Sequence, residues 1–185
     1  MLKGNKIVTA VVDCDNLVII EPIIALRQVT KHSKFTSRTI AWYTNSDVYH
    51  SEIVINNSWI SSNVAGKGVH VKPLKPYRGD YKYIILPKVK LTLEQFNNFK
   101  NWLNEQLEKG YDFTGIMFSQ AIPLRHDNQN KWFCSELVTK ILQLLGYYEV
   151  IDLLPHLVSP GMLEDIFKKY LINGKPEHIM ERPRN

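Results

Sequence analysis

The hydrophobic pattern of this chain changes period once, and that change limits the folds open to it. Up to Pro87 the apolar residues sit in short runs rich in Val and Ile, and beyond Thr92 they recur every three or four positions. Such a chain lays down a sheet first and covers it with helices afterwards, which is the α+β class. Val48 to Ile55 reads as a strand, Asn56-Asn57 as a hairpin turn and Ser58 to Ser62 as the return strand. Val69 to Leu74 and Lys82 to Leu86 extend this into an antiparallel meander closed by Pro87. Upstream, residues 7–12 and 17–20 read as two strands around an Asp-Cys-Asp-Asn turn. Residues 22–31 read as a short helix with Pro22 in its first turn, and Thr39 to Tyr43 as a strand.

The helical half carries clear boundary signals. Thr92 and Gln95 have capping-box spacing, Phe96, Phe99, Leu103 and Leu107 line one face, and Gly110 is the expected stop. Tyr111 to Gln120 is expected to begin a shorter helix, and residues 125–131 form a polar loop. Leu137, Ile141, Leu144 and Leu145 mark another helix, ended by Gly146. Ser159-Pro160-Gly161 opens a last one with Leu163, Ile166, Phe167 and Tyr170 on one side. The 185 residues suit one core, expected over residues 1–174, with 175–185 as a loose tail.

With 44% hydrophobic and 22% charged residues, disorder is not the expected state. A net charge of +5 favours approach to an anionic partner, including a peripheral anionic surface. The basic residues are scattered, so no specific nucleic-acid role is expected. No stretch reads as a signal peptide or a transmembrane helix, and a cytoplasmic location is expected.

Two cysteines, Cys14 and Cys134, are too few for a disulfide scaffold, and neither stands in a Cys-x-x-Cys pair. No metal or organic cofactor is expected. A thiol attacks as its thiolate, which the N–H groups and dipole at a helix N-terminus favour. Cys134 follows a polar loop and stands three residues before an apolar helical pattern, so it is placed to receive that help. The competing reading makes it a small buried hydrophobe. Cys14 lies between Asp13 and Asp15, whose charges oppose a thiolate, and reads as structural.

The histidines are His32, His50, His70, His126, His156 and His178. His50 is preferred as a base because residues two apart on a strand share a face, which puts Glu52 beside it. Ser61, Ser62 and Asn63 on the next strand are alternative orienting groups. The competing reading is a His-x-Glu pair on a solvent-facing strand. Asp112 reads as a helix cap, and Trp132 and Phe133 as either groove-lining or core aromatics.

Taken in order, His50-Ser51-Glu52-Ile53-Val54, Tyr111-Asp112-Phe113, Trp132-Phe133-Cys134-Ser135-Glu136-Leu137 and Ser159-Pro160 resemble the circularly permuted papain-like enzymes of the NlpC-type superfamily. Within it the likeness is to YiiX-type amidases and their small phage and prophage relatives. The resemblance spans roughly residues 20–170, with the histidine strand ahead of the cysteine helix as the permuted order requires. It implies a thiol amidase or peptidase with Cys134 as nucleophile, His50 as base and Glu52 as orienting group. Ser62, Tyr111 and Trp132 stand as orienting or substrate-groove residues. Substrates of the class are amides or esters, of cell-wall peptides or of lipids, and a host cytoplasm or a virion would be the setting of a phage member. Two other readings stay open: a lipid-directed thiol acyltransferase or esterase, and a non-catalytic phage structural or host-interaction protein that keeps the fold. One departure from the family is the strand after His50, Trp59-Ile60-Ser61-Ser62-Asn63, which has no carboxylate.

Overall fold

The computed structural model describes residues 11–13, 16–63, 65, 68–73, 80–107, 109–111 and 131–172. Cys14, Asp112, His126, His178 and the tail lie outside these residues, as does most of the helix expected over 111–120. An antiparallel sheet packed against helices makes this an α+β protein.

Two short strands, β1 (Val11–Val12) and β2 (Val18–Ile20), form a hairpin that pairs onward with β8 (Val89–Leu91). The main sheet has six strands: β3 (Pro22–Gln28), β4 (Val48–Ile55), β5 (Ser58–Asn63), β6 (Gly68–Pro73), β7 (Tyr81–Ile85) and β11 (Leu171–Ile172). Their order is β11-β7-β3-β4-β5-β6, and every ladder is antiparallel. The meander therefore runs β3 to β6. The strand expected to extend it, β7, instead crosses back to pair with β3.

Residues 22–28 are thus a central strand, and the helix expected there is corrected. Both faces of β3 are buried: Ile24 and Leu26 join the main core, while Ile23 and Ala25 join a second cluster on the opposite face. A strand buried on both sides reads as a continuous apolar run, which period alone does not separate from a buried helix. Pro22 is tolerated because it is the strand's first residue.

The expected strand over 39–43 is also corrected, since these residues lie in helix α1 (Phe35–Tyr43). β-Branched residues such as Thr39 and Ile40 favour strands by propensity, which tertiary context overrides here. In the helix Thr39 donates its hydroxyl to the Phe35 carbonyl at 3.0 Å, and Thr44 just beyond donates to the Ile40 carbonyl at 2.9 Å.

The hairpin between β4 and β5 turns on Asn56 and Asn57, both in the left-handed region with φ of 39° and 57°. Helix α2 (Leu93–Gln106) starts at the expected capping box: Gln95 N–H donates to Thr92 Oγ1 at 3.1 Å, and Thr92 N–H to Gln95 Oε1 at 2.9 Å. It ends before Gly110, which opens β9 (Gly110–Tyr111). Tyr111 is therefore in a strand rather than at the start of a helix, and it pairs in parallel with Trp132 of β10 (Lys131–Trp132).

Helix α3 (Cys134–Leu144) is followed by Gly146 at φ 85°, and α4 (Pro160–Phe167) is capped by Ser159, whose Oγ accepts from Met162 N–H at 3.2 Å. Phe96, Phe99 and Leu103 of α2, Leu137, Val138 and Ile141 of α3 and Leu163 and Phe167 of α4 pack with Ile24, Leu26, Ile53, Ile55 and Ile60 of the sheet. The other sheet face holds the smaller cluster of Ile23, Ala25, Val54, Trp59, Tyr81 and Tyr83.

Candidate active site

Helix α3 lies over β4 and β5, which brings its first residue, Cys134, to His50. The sulfur lies close enough to the imidazole to act on its charge state. A local irregularity in β4 sets the imidazole. Arg27 pairs with His50 but the next pair is Gln28 with Val48, so Tyr49 is an extra residue in the strand. A bulge of this kind re-aims a side chain without ending the ladder. The β4–β5 pairing ends at Ile53, short of Glu52 and His50. The β4–β5 register runs Ile55↔Ser58, Val54↔Trp59 and Ile53↔Ile60, and His50 and Glu52 lie past it on the part of β4 still paired to β3.

His50 Nε2 stands 3.5 Å from Glu52 Oε1 and 3.3 Å from Ser61 Oγ. Tyr81 donates its hydroxyl to the other carboxylate oxygen, Glu52 Oε2, at 3.0 Å. Asn63 donates its side-chain amide to Ser61 Oγ at 3.0 Å. The imidazole is thus held from two strands, by a carboxylate on its own and a hydroxyl on the next, each fixed by a further donor. A buried carboxylate needs such partners, because burying a charge is costly unless it is paired and hydrogen-bonded; Glu52 is 1% exposed.

Burial works against a charged imidazole at His50. Cys134 and Glu52 act in the opposite direction and together outweigh it, raising His50 from its ordinary 6.5 to about 10. The site therefore favours imidazolium beside the sulfur.

Cys134 is the first residue of α3, after Phe133 in extended conformation. Glu136 Oε2 accepts the Phe133 N–H at 3.1 Å; phenylalanine offers no acceptor in return, so only this half of a capping box is made. Helix geometry leaves the first N–H groups of α3 without intrahelical partners. Ser135 donates to the Val158 carbonyl, and Thr139 to the Ser135 carbonyl at 2.7 Å, which fixes the first turn against the segment before α4. Cys134 is 0% exposed, so the sulfur is enclosed in this conformation.

The remaining sequence candidates fall around this centre. Ser62 does not meet His50; its hydroxyl donates to the Trp132 carbonyl at 2.9 Å, anchoring the strand that leads into Cys134. Trp132 is half-buried, donates its indole N–H to Gln106 Oε1 at 3.2 Å and packs edge-on to Trp102. That places it in the packing between α2 and β10. His70 lies on β6 opposite Ser61, and its Nδ1 meets the Gly68 carbonyl at 2.9 Å. Among the described residues no group of three or more His, Cys, Asp or Glu side chains could hold a metal ion, and no helix is long and apolar enough to cross a membrane.

Tyr81 escaped the sequence reading. Its strand pairs with β3, not with β4, so no local spacing connects it to Glu52. Its ring stands edge-on to Trp59 and stacks on Tyr83. Tyr81→Phe keeps the ring and removes the hydroxyl that donates to Glu52. In a thiol enzyme built on this site, the variant should lose about tenfold in turnover at unchanged KM, as for an orienting contact worth roughly 1.5 kcal/mol. A purely structural tyrosine would leave kcat untouched in the folded variant.

Sheet and site together define an α+β protein whose central strands hold a histidine–carboxylate pair against a helix-borne thiol. No family model matches the chain, and no curated protein is matched by its sequence.

Proposed function

We propose that this chain is a thiol hydrolase of the circularly permuted papain-like kind, cleaving amide or ester bonds through an acyl-enzyme on Cys134. The observation that carries this reading is the approach of the helix-borne Cys134 sulfur to the buried His50 imidazole, with Glu52 behind the ring.

The chemistry follows from that arrangement. The Cys134 thiolate adds to the carbonyl carbon, and the oxyanion is received by N–H groups at the start of α3. The carbon–leaving-group bond breaks as the His50 imidazolium gives its proton to the departing amine or alcohol. Water then attacks the thioester with His50 as base, releasing the acid and restoring the pair. Glu52 and Ser61 hold the ring in register throughout. Cell-wall peptides and lipid esters are the substrate classes to compare. A lipid-directed acyltransferase would use the same first half-reaction and pass the acyl group to an acceptor other than water.

One observation favours a second reading, a binding protein that keeps the arrangement without turnover: the sulfur is wholly enclosed. A small ester separates the two, because it demands little opening. With p-nitrophenyl acetate, mass spectrometry is expected to find an acetyl group on the peptide containing Cys134. Absence of an adduct on that peptide, or acetylation that proceeds equally in Cys134→Ala, sinks the enzyme reading.

A further inference from the structure

Helix α1 turns its largest apolar side chains outward. Phe35 is 83% exposed and Trp42 is 80% exposed. They are seven residues apart, two helical turns, and so lie on one side. Ala41 is the helix's buried hydrophobic residue. A helix serving only the core would do the reverse, with its large apolar residues inward.

The chain segment that carries these aromatics bears charge of one sign. From Pro22 to Ser46 the chain has no aspartate or glutamate, while Lys31, Lys34 and Arg38 are all exposed. No ion pair involves Lys31 or Lys34 among the described residues. Arg38 donates from Nη2 to the Lys31 carbonyl at 2.8 Å, tying the turn before α1 to its first turns.

We propose that α1 and the turn before it dock this protein on an anionic lipid surface. Exposed Trp and Phe suit the interfacial layer of a bilayer, where an aromatic ring sits at headgroup depth. Lys31, Lys34 and Arg38 beside them meet lipid phosphates and carboxylates. The exposed aromatics project from a helix rather than line a groove, which suits a surface that yields to them. Because α1 leads into β4, docking would bring the strand that carries His50 close to the surface. The proposal stands without the thiol chemistry and is tested without it.

The test is co-sedimentation of the intact protein with vesicles of phosphatidylcholine alone or mixed with phosphatidylserine. Wild type is expected to pellet with the mixed vesicles and not with neutral ones. Phe35→Ser and Trp42→Ser should each weaken binding about tenfold or more, the scale of burying an aromatic side chain. Lys31→Gln and Lys34→Gln should each cost about fivefold, and added salt should weaken wild type further. These positions are exposed, and far-UV circular dichroism checks each fold; if an aromatic variant fails it, the lysine pair carries the test. Three results overturn the proposal: no binding of wild type to mixed vesicles, equal binding by the Phe35→Ser/Trp42→Ser double variant, or wild-type self-association that this double variant abolishes.

Discussion

His50→Gln lowers acylation of Cys134 by about 10²- to 10⁴-fold, the range expected on loss of a positioned acid–base group. Glutamine still offers a hydrogen-bonding amide to Glu52 and Ser61, so the variant isolates the proton transfer from the support of the cavity. The acyl probe on the Cys134 peptide gives the rate, and a loss under tenfold would remove His50 from the mechanism. The same substitution carries a stability signature. Folding raises the imidazole from 6.5 to about 10, so the folded state holds its proton more tightly than the unfolded chain. The stabilisation this provides is complete below pH 6.5 and is lost as pH climbs through 10. The difference in Tm between wild type and His50→Gln should therefore be widest in acid and narrow steadily toward pH 10.

Gly68→Ala is expected to destabilise the fold by about 3 kcal/mol or more, lowering Tm by roughly 6–12 °C for a chain of this size. Gly68 opens β6 at φ 113°, where an L side chain is strained, and an added Cβ would stand 1.8 Å from the Lys109 carbonyl oxygen. That oxygen also accepts the Val69 N–H at 3.0 Å. The clash is with backbone, so relief requires separating β6 from the segment leading into β9. Gly146→Ala is the control. It has a comparable φ of 85° but meets nothing within 4 Å, and it should cost only the roughly 1–2 kcal/mol of the left-handed conformation. Thermal unfolding of the two variants side by side decides the point; a similar, small loss in both would mean that the contact at Gly68 is not tight.

Local chemistry made much of this fold legible. Asn56-Asn57 marks the β4–β5 hairpin because both residues take positive φ readily, and Thr92 with Gln95 marks the start of α2 through a reciprocal pair of hydrogen bonds. Gly146 and Ser159 mark the boundaries of α3 and α4 for equally local reasons. The misread elements, β3 and α1, are those whose pattern depends on distant neighbours. Burial of β3 on both faces hides its period of two. Helix α1 exposes the apolar residues that a period analysis expects inside, while its threonines hydrogen-bond along the helix.

The site divides the same way. Cys134 at a helix start and Glu52 two residues from His50 are spacings within one element. The geometry brings these three together. The bulge at Tyr49, the Ser61 contact with Nε2 and the Tyr81 hydroxyl on Glu52 come from how strands lie across one another. The serine alternatives show the limit clearly. Ser61 and Ser62 are adjacent in the chain, yet strand alternation turns one to the imidazole and the other to the Trp132 carbonyl.

The separation of the two reactive groups along the chain sets an order in time. His50 and Cys134 are 84 residues apart. At about 5–20 residues per second, the segment bearing the sulfur leaves the ribosome roughly 4–17 s after the strand bearing the imidazole. Within that interval the hairpin that holds Glu52 and Ser61 beside His50 comes free in full, whereas the thiol has not yet emerged. The growing chain therefore holds the imidazole and its carboxylate before it can set the sulfur against them.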